Sequence, residues 1–253
     1  MKHCDNFVVS EKKFLNSSFF KLKLKSKKTL PEINPGQFVE VQVNSDSKVL
    51  LRRPISINDV DSQTNEISLI IQTVGQGTKE LAKINEGKEI NLVYPLGNGF
   101  NIEGENPLLV GGGVGIAPLL YLAKNFHAKG IKPKVLLGFR SQEQMIDLKE
   151  YEKYADVYIS TQDGSVGSKG LVTENEIFTQ SYDTIYTCGP TPMMEKLVKM
   201  TEGTKTKIMV SLENHMACGV GACLVCTCKT KFGNKKTCKD GPVFWGEDVI
   251  FNG

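Results

Sequence analysis

The chain has 253 residues, 40% of them hydrophobic, and a net charge of +3 at neutral pH. That length holds two domains of about 100–150 residues and a small appendage, and so mild a charge excludes a generally basic nucleic-acid binder. The N-terminal MKHCDNFVVSEKK has no apolar signal segment, and Pro107 to Ala123 is too short and too glycine-rich to cross a membrane, which takes about 20 apolar residues; a soluble, cytoplasmic protein is expected.

From Phe7 to about Pro95, short apolar segments follow one another between turns: FVVS, FFKLKLK, QFVEVQV, RRPISIN, EISLIIQTV and KEINLVYP. Such a series predicts an antiparallel barrel over residues 1–100. Phe20, Leu22 and Leu24 alternate with Lys21, Lys23 and Lys25, placing lysines on one face and apolar residues on the other. No aromatic residues interleave with these charges as base stacking requires, so the lysines read as a solvated barrel face. Arg53, Pro54, Ile55 and Ser56 interrupt an apolar strand with a guanidinium and a hydroxyl, a pairing found at barrel rims and also suited to a pyrophosphate. The turn Gly75-Gln76-Gly77-Thr78 allows a ligand close to the backbone.

Pro107 opens a different rhythm over residues 101–211: PLLV, the turn GGGVG, a helical IAPLLYLAKNFHAKG, then KVLLGF. Further apolar runs at VYIST, TIYTCG and KIMVSL, with a helical PMMEKLVKM between the last two, predict a parallel sheet flanked by helices. The turn Gly111, Gly112, Gly113, Val114, Gly115 precedes a helix and suits a phosphate. It departs from the dinucleotide fingerprint at Ile116, where a third glycine or alanine belongs. Cys188, Gly189 and Pro190 end a later strand, and open α/β sheets bind ligands beyond the carboxyl ends of their strands. A buried packing role suits Cys188 as well.

Residues 212–253 hold five of the seven cysteines. Cys218, Cys223 and Cys226 follow C-x4-C-x2-C, the plant-type 2Fe-2S spacing, with Cys238 as the fourth thiolate. Gly219, Gly221 and Ala222 leave room for the sharp bends of such a loop. A four-thiolate zinc site from Cys223, Cys226, Cys228 and Cys238 is the alternative, although zinc usually takes two short cysteine pairs and Cys228 and Cys238 lie far apart.

Taken together, RPIS, GGGVGIAPL, CGPTPMM and ACGVGACLVC with CKDGPVF resemble, in order and over essentially the whole chain, the ferredoxin reductase superfamily. More narrowly they resemble electron transfer subunits of NAD-dependent, class 1B dihydroorotate dehydrogenases. The resemblance implies a flavin-binding barrel, a nucleotide-binding α/β domain and a small iron-sulfur subdomain. It also implies FAD on Arg53 to Ser56, Ile70, Ile71, Gln72, Gly77 and Thr78, and a 2Fe-2S cluster on Cys218, Cys223, Cys226 and Cys238. NAD would lie on Gly111 to Gly115 and Cys188 to Pro190. Ile55 stands where the superfamily often has tyrosine, His215 stands where arginine is expected, and Cys228 is extra.

The implied partner is an FMN-containing catalytic subunit that oxidises dihydroorotate in pyrimidine biosynthesis, in a two-plus-two heterotetramer that binds neither nucleic acid nor membrane, its contact surface near the cluster loop. No residue of this chain is then needed as a general acid or base. Flavin and iron-sulfur reductase subunits of sulfide dehydrogenases or hydrogenases share the two large domains and are the nearest rival, and a zinc-stabilised module on a reductase scaffold is the non-redox one. Gly138-Phe139-Arg140 ends the second apolar run of the nucleotide domain where an NAD site usually has an acid, and an arginine there can accommodate a 2′-phosphate; the resemblance nevertheless implies NAD.

Overall fold

Alternating apolar residues along the first hundred positions close a six-stranded barrel. In the computed structural model, which describes residues 1–43 and 49–251, its strands are β1 (His3–Phe14), β2 (Phe19–Ser26), β3 (Phe38–Val41), β4 (Arg53–Asp61), β5 (Glu66–Gln72) and β6 (Glu89–Leu96). Residues 252–253, at the end of the expected cluster segment, and 44–48, in the barrel segment, lie outside the described residues. The barrel closes in the order β1-β2-β5-β4-β3-β6, every pair antiparallel. Phe20, Leu22 and Leu24 point into it and pack with Phe7, Ile57, Leu69 and Tyr94, as the period-two pattern requires. The segment around Gly75 to Thr78 is the start of a short helix, α1 (Gln76–Leu81).

Beyond the barrel, β7 (Pro107–Gly112), β8 (Lys134–Phe139), β9 (Asp156–Thr161), β10 (Ser168–Lys169), β11 (Thr184–Cys188) and β12 (Lys207–Ser211) pair in parallel. Helices α2 (Leu119–Ala128), α3 (Lys149–Glu152) and α4 (Thr191–Thr201) connect them. The near-continuous burial of β7, β8 and β11 is that of a sheet covered on both faces. Strand order is β10-β9-β8-β7-β11-β12, so it reverses between β7 and β11.

The C-terminal segment forms a hairpin of β13 (Thr227–Thr230) and β14 (Gly233–Lys236), then β15 (Val243–Trp245). β15 adds antiparallel to β12, so the cysteine-rich segment covers the sheet's edge. Asn98 at the barrel's end ties it down: its side chain accepts from Val243 N at 3.0 Å and donates to the carbonyls of Asp240 and Val243 at 3.1 and 2.9 Å.

Helix α2 locks the barrel to the sheet. Asn58, fully buried on β4, donates to the Ala117 carbonyl at 2.7 Å, Tyr121 donates to the Ile33 carbonyl at 3.1 Å, and Lys124 pairs with Asp59 at 2.7 Å. Among the described residues no helix is long and apolar enough to cross a membrane.

Candidate functional site

The cysteine loop runs from Glu213 to Val225 without regular structure. Gly219 and Gly221 turn it with φ of 64° and 88°, backbone that side-chain-bearing residues rarely adopt. Cys218 and Cys223 bring their sulfurs to 3.3 Å, and the Cys223 amide donates to Cys218 Sγ at 3.4 Å. Cys226 and Cys238, both buried, meet in a second pair packed on Phe38 and Leu96. Burial works to raise the Cys218 thiol, but hydrogen bonds from the Cys223, Val220 and Ala222 backbone outweigh it and hold the group at about 6, which favours the metal-binding thiolate. Cys238 is pushed up by burial and by its Cys226 neighbour.

Two thiol pairs fit two irons, one pair to each, which is the donor set of a 2Fe-2S cluster. Cys228 lies apart. Its thiol donates to the Lys235 carbonyl at 3.6 Å and packs against the sheet-side core that includes Val210 and Leu212, so the zinc-like set containing it is not gathered. Among the described residues no three His, Cys, Asp or Glu side chains converge on a single ion. His215 is solvent-exposed.

On the barrel, Arg53 to Ser56 form the start of β4, paired with Val41 to Phe38 of β3. Gly77 lies against Arg53 so closely that a Cβ there would stand 2.2 Å from the guanidinium Nε. RPIS and the Gly77-Thr78 turn therefore form one cradle. Arg53 Nε is buried with no hydrogen-bond partner among the described residues, a vacant donor suited to a phosphate oxygen. Thr78 builds the turn: its hydroxyl accepts from Val74 N and Gly75 N and donates to the Gly75 carbonyl. Ile71 points into the barrel core and Ile70 into the core shared with the sheet, so beside the half-buried Gln72 they offer a ligand mainly backbone.

Glu40, opposite Pro54 in the β3–β4 register, is a residue that sequence reasoning misses. Its place between Val39 and Val41 reads as outward-facing, yet it is 1% exposed because the cysteine loop covers that face. A Cβ on Gly219 would lie 2.4 Å from Glu40 Cγ. Burial, opposed by Arg52 and Arg53, pushes its carboxyl up to about 7. Glu40 thus connects the Arg53 cradle with the cysteine loop.

A cleft of about 630 Å3 crosses the carboxyl ends of the sheet at the reversal of strand order, the position at which open α/β folds bind ligands. Gly112, Gly113, Val114, Gly189 and Pro190 line it, Gln72 reaches it from the barrel, and Glu213 stands at one end. Gly111, Gly115 and Cys188 lie behind this wall. A Cβ on Gly115 would sit 2.3 Å from the Cys188 carbonyl oxygen, so the turn presses directly on β11.

The departure from the fingerprint has a structural cause. Gly113–Ile116 is a single 3-10 turn, Ile116 is buried against Gly111, and α2 begins only after Pro118. Cys188 donates to Glu213 Oε1 at 3.7 Å. Burial, with Glu213 adding to it, raises the Cys188 thiol far above its usual range, and desolvation likewise raises the Glu213 carboxyl.

Three family models match successive parts of the chain. The oxidoreductase FAD-binding domain matches residues 6–100, the oxidoreductase NAD-binding domain residues 109–199, and the iron-sulfur cluster binding domain of dihydroorotate dehydrogenase B residues 213–250. Over 259 aligned positions the chain is 39% identical to the dihydroorotate dehydrogenase B (NAD(+)) electron transfer subunit of Fusobacterium nucleatum, spanning 97% of this chain and 98% of that relative. It belongs to that family of electron transfer subunits. The Clostridium perfringens member is 47% identical over 87% of this chain and 88% of its own.

Among solved structures, an NADH-dependent reduced ferredoxin-NADP oxidoreductase superposes with a TM-score of 0.87 at 32% identity, over 96% of this chain and 89% of the other. Phthalate dioxygenase reductase, at 19% identity and a TM-score of 0.65 over 90% of this chain and 87% of its own, shares the fold. The chain thus carries FAD-binding, NAD-binding and iron-sulfur domains in this order.

Proposed function

We propose that this chain is the electron transfer subunit of a dihydroorotate dehydrogenase B, passing electrons from an FMN-containing catalytic subunit to NAD+ in pyrimidine biosynthesis. The observation that carries the reading is the adjacency of three sites: Glu40 touches both the Arg53 cradle and the Gly219 loop, and Gln72 reaches from the barrel into the nucleotide cleft. FAD, when bound, exchanges electron pairs with a nicotinamide and single electrons with an iron-sulfur centre.

In this reading the chain's residues bind and position. Arg53 to Ser56, Ile70 to Gln72, Gly77 and Thr78 hold FAD, Cys218, Cys223, Cys226 and Cys238 hold the cluster, and Gly111 to Gly115 with Cys188 to Pro190 frame NAD. The division into residues 1–100, 101–211 and 212–253 follows these three tasks. Leu224 and Val225, between two of the cysteines, are 71% and 56% exposed; this apolar tip of the loop is the face offered to the catalytic subunit. A two-plus-two heterotetramer in the cytoplasm completes the proposal.

The names of the curated relatives do not favour the sulfide dehydrogenase or hydrogenase reading. The test is co-expression with the candidate catalytic subunit and anaerobic titration with dihydroorotate. Bleaching of both flavin and cluster absorbance is expected. Bleaching by sulfide or hydrogen, with none by dihydroorotate, would overturn the assignment.

A further inference from the structure

Two ammonium groups hold the cysteine loop from outside, and both bond to its backbone. Lys2, just before β1, donates from Nζ to the Val220 carbonyl at 3.0 Å, and Lys236, the last residue of β14, donates from Nζ to the Gly221 carbonyl at 2.8 Å. Both carbonyls belong to the turn between Cys218 and Cys223. Lys239 lies over the same turn, where a Cβ on Gly221 would stand 2.9 Å from its Cδ. Three lysines thus meet at two successive peptide groups.

The inner sides of those peptides point at sulfur. The Val220 carbonyl shares its peptide unit with the Gly221 N–H, which is directed at Cys238, and the Gly221 carbonyl shares its unit with the Ala222 N–H, which is directed at Cys218. Each lysine is therefore the outer end of a short relay, ammonium to carbonyl and then amide to sulfur. Cys218 belongs to one thiol pair and Cys238 to the other, so one relay reaches each pair. Hydrogen bonds in series polarise one another: an ammonium on the carbonyl draws electron density from the amide and makes its N–H a stronger donor.

The charge around the turn is mostly of one sign. The open cleft beside Cys238 is lined by Lys2, His3 and Lys239 and, among the described residues, by the one acid Glu32. Asp240, the acid nearest in sequence, is turned to backbone, its Oδ2 accepting from Lys236 N at 2.7 Å. Four thiolates around two irons carry negative charge that grows by one when the cluster takes up an electron, and both local charge and hydrogen bonds to the sulfurs set the potential of such a centre. Cations and strengthened N–H donors stabilise the reduced form more than the oxidised one.

We infer that Lys236 and Lys2 are positioning residues that act through the peptides of residues 220–222 to raise the reduction potential of the 2Fe-2S cluster, easing its acceptance of electrons from the catalytic subunit. The inference rests on the cluster assignment above. Lys236 is half-buried and has the larger effect, whereas Lys2 is exposed and its effect is screened by salt.

The test is a redox titration of the FAD- and cluster-loaded chain, following the electron paramagnetic resonance signal of the reduced cluster, in the wild type and in Lys236→Gln, Lys236→Arg and Lys2→Gln. Glutamine keeps a hydrogen-bond donor and loses the charge; arginine keeps both. Lys236→Gln should lower the equilibrium constant for electron uptake about tenfold, the difference between a charged and a neutral hydrogen bond, which is about 59 mV for a one-electron couple. Lys2→Gln should lower it about threefold at low salt and less at high salt, and Lys236→Arg should stay near the wild type. A wild-type potential in both glutamine variants, or a fall in Lys236→Arg equal to that in Lys236→Gln, overturns the inference. If Lys236→Gln does not assemble the cluster, Lys2→Gln decides: a salt-dependent fall supports the inference and an unshifted potential overturns it. A wild-type chain lacking acid-labile sulfide and a reduced-cluster signal removes the cluster assignment itself, while an unshifted potential with the cluster present removes only this inference.

Discussion

Gly77 leaves the Arg53 guanidinium its position: a Cβ at residue 77 would stand 2.2 Å from Arg53 Nε and 3.0 Å from its Cδ. A helix start and a strand 24 residues earlier are thereby fitted to each other, with a buried, unpartnered nitrogen between them. Gly77→Ala is therefore expected to dislodge Arg53 and weaken FAD binding. Arg53→Ala removes the donor itself, a loss of about 1.5–3 kcal/mol for a hydrogen bond to a charged group, or roughly ten- to hundredfold in affinity. The flavin-to-protein absorbance ratio after dialysis checks both variants. Full flavin retention in Arg53→Ala would remove this residue from the FAD site.

Cysteine substitution separates the four loop thiols from the fifth. Serine at Cys218, Cys223, Cys226 or Cys238 should lower iron and acid-labile sulfide well below the two of each that a full 2Fe-2S cluster contains. Cys228→Ser should leave both unchanged, since the Cys228 thiol donates to the Lys235 carbonyl and packs on the sheet-side core. Loss of iron in Cys228→Ser, with retention in any one of the other four, would reverse the ligand assignment.

These contrasts also mark what the sequence conveys and what it hides. Strand periodicity placed Phe20, Leu22 and Leu24 inside the barrel because period-two burial is local, and cysteine spacing singled out Cys218, Cys223 and Cys226 because a loop that wraps a cluster is local too. Glu40 was hidden because its burial comes from Gly219, 179 residues away, and alternation says nothing of what covers a strand's outer face. Ile116 reads as a flaw in a glycine motif until the 3-10 turn shows it anchoring Gly113–Ile116 on β7. The pairing of Glu213 with Cys188 was likewise out of reach, since it depends on β11 and β12 being neighbours.

The exposed tip of the cysteine loop gives a prediction about association. Leu224 and Val225 stand in solvent between Cys223 and Cys226 while their neighbours turn inward. A charge placed there opposes desolvation against a partner without disturbing a packed core. Leu224→Asp is expected to weaken binding to the catalytic subunit at least tenfold, on the order of 2 kcal/mol for a central apolar contact, with the cluster absorbance unchanged. Titration of the labelled chain with the catalytic subunit measures it. Unchanged affinity in both Leu224→Asp and Val225→Asp would move the interface elsewhere.

Glu213 gives the chain a pH-dependent response to the oxidised nucleotide. Although Glu213 as a residue is exposed, its carboxyl packs beside the buried Cys188, and that local desolvation raises its pKa above the ordinary 4.5, while the Cys188 hydrogen bond pulls in the opposite direction and is the smaller effect. Below that raised value the side chain is neutral, and above it an anion faces the end of the cleft that leads through the cysteine loop and Glu40 to the Arg53 cradle, where a nicotinamide would meet FAD. The oxidised ring carries a positive charge and the reduced ring does not, so only the oxidised form gains from the ionised carboxylate. Affinity for oxidised relative to reduced nucleotide should therefore rise as pH increases from 4.5 through the Glu213 pKa, then level off. Two unit charges about 4 Å apart in a water-like medium contribute about 1 kcal/mol, or roughly fivefold. Dissociation constants of both nucleotide forms across this range, in the wild type and in Glu213→Gln, test it: the ratio should be flat in the variant. An equal slope in the two proteins would place the nicotinamide away from Glu213 and with it reverse the direction in which the dinucleotide lies along the sheet.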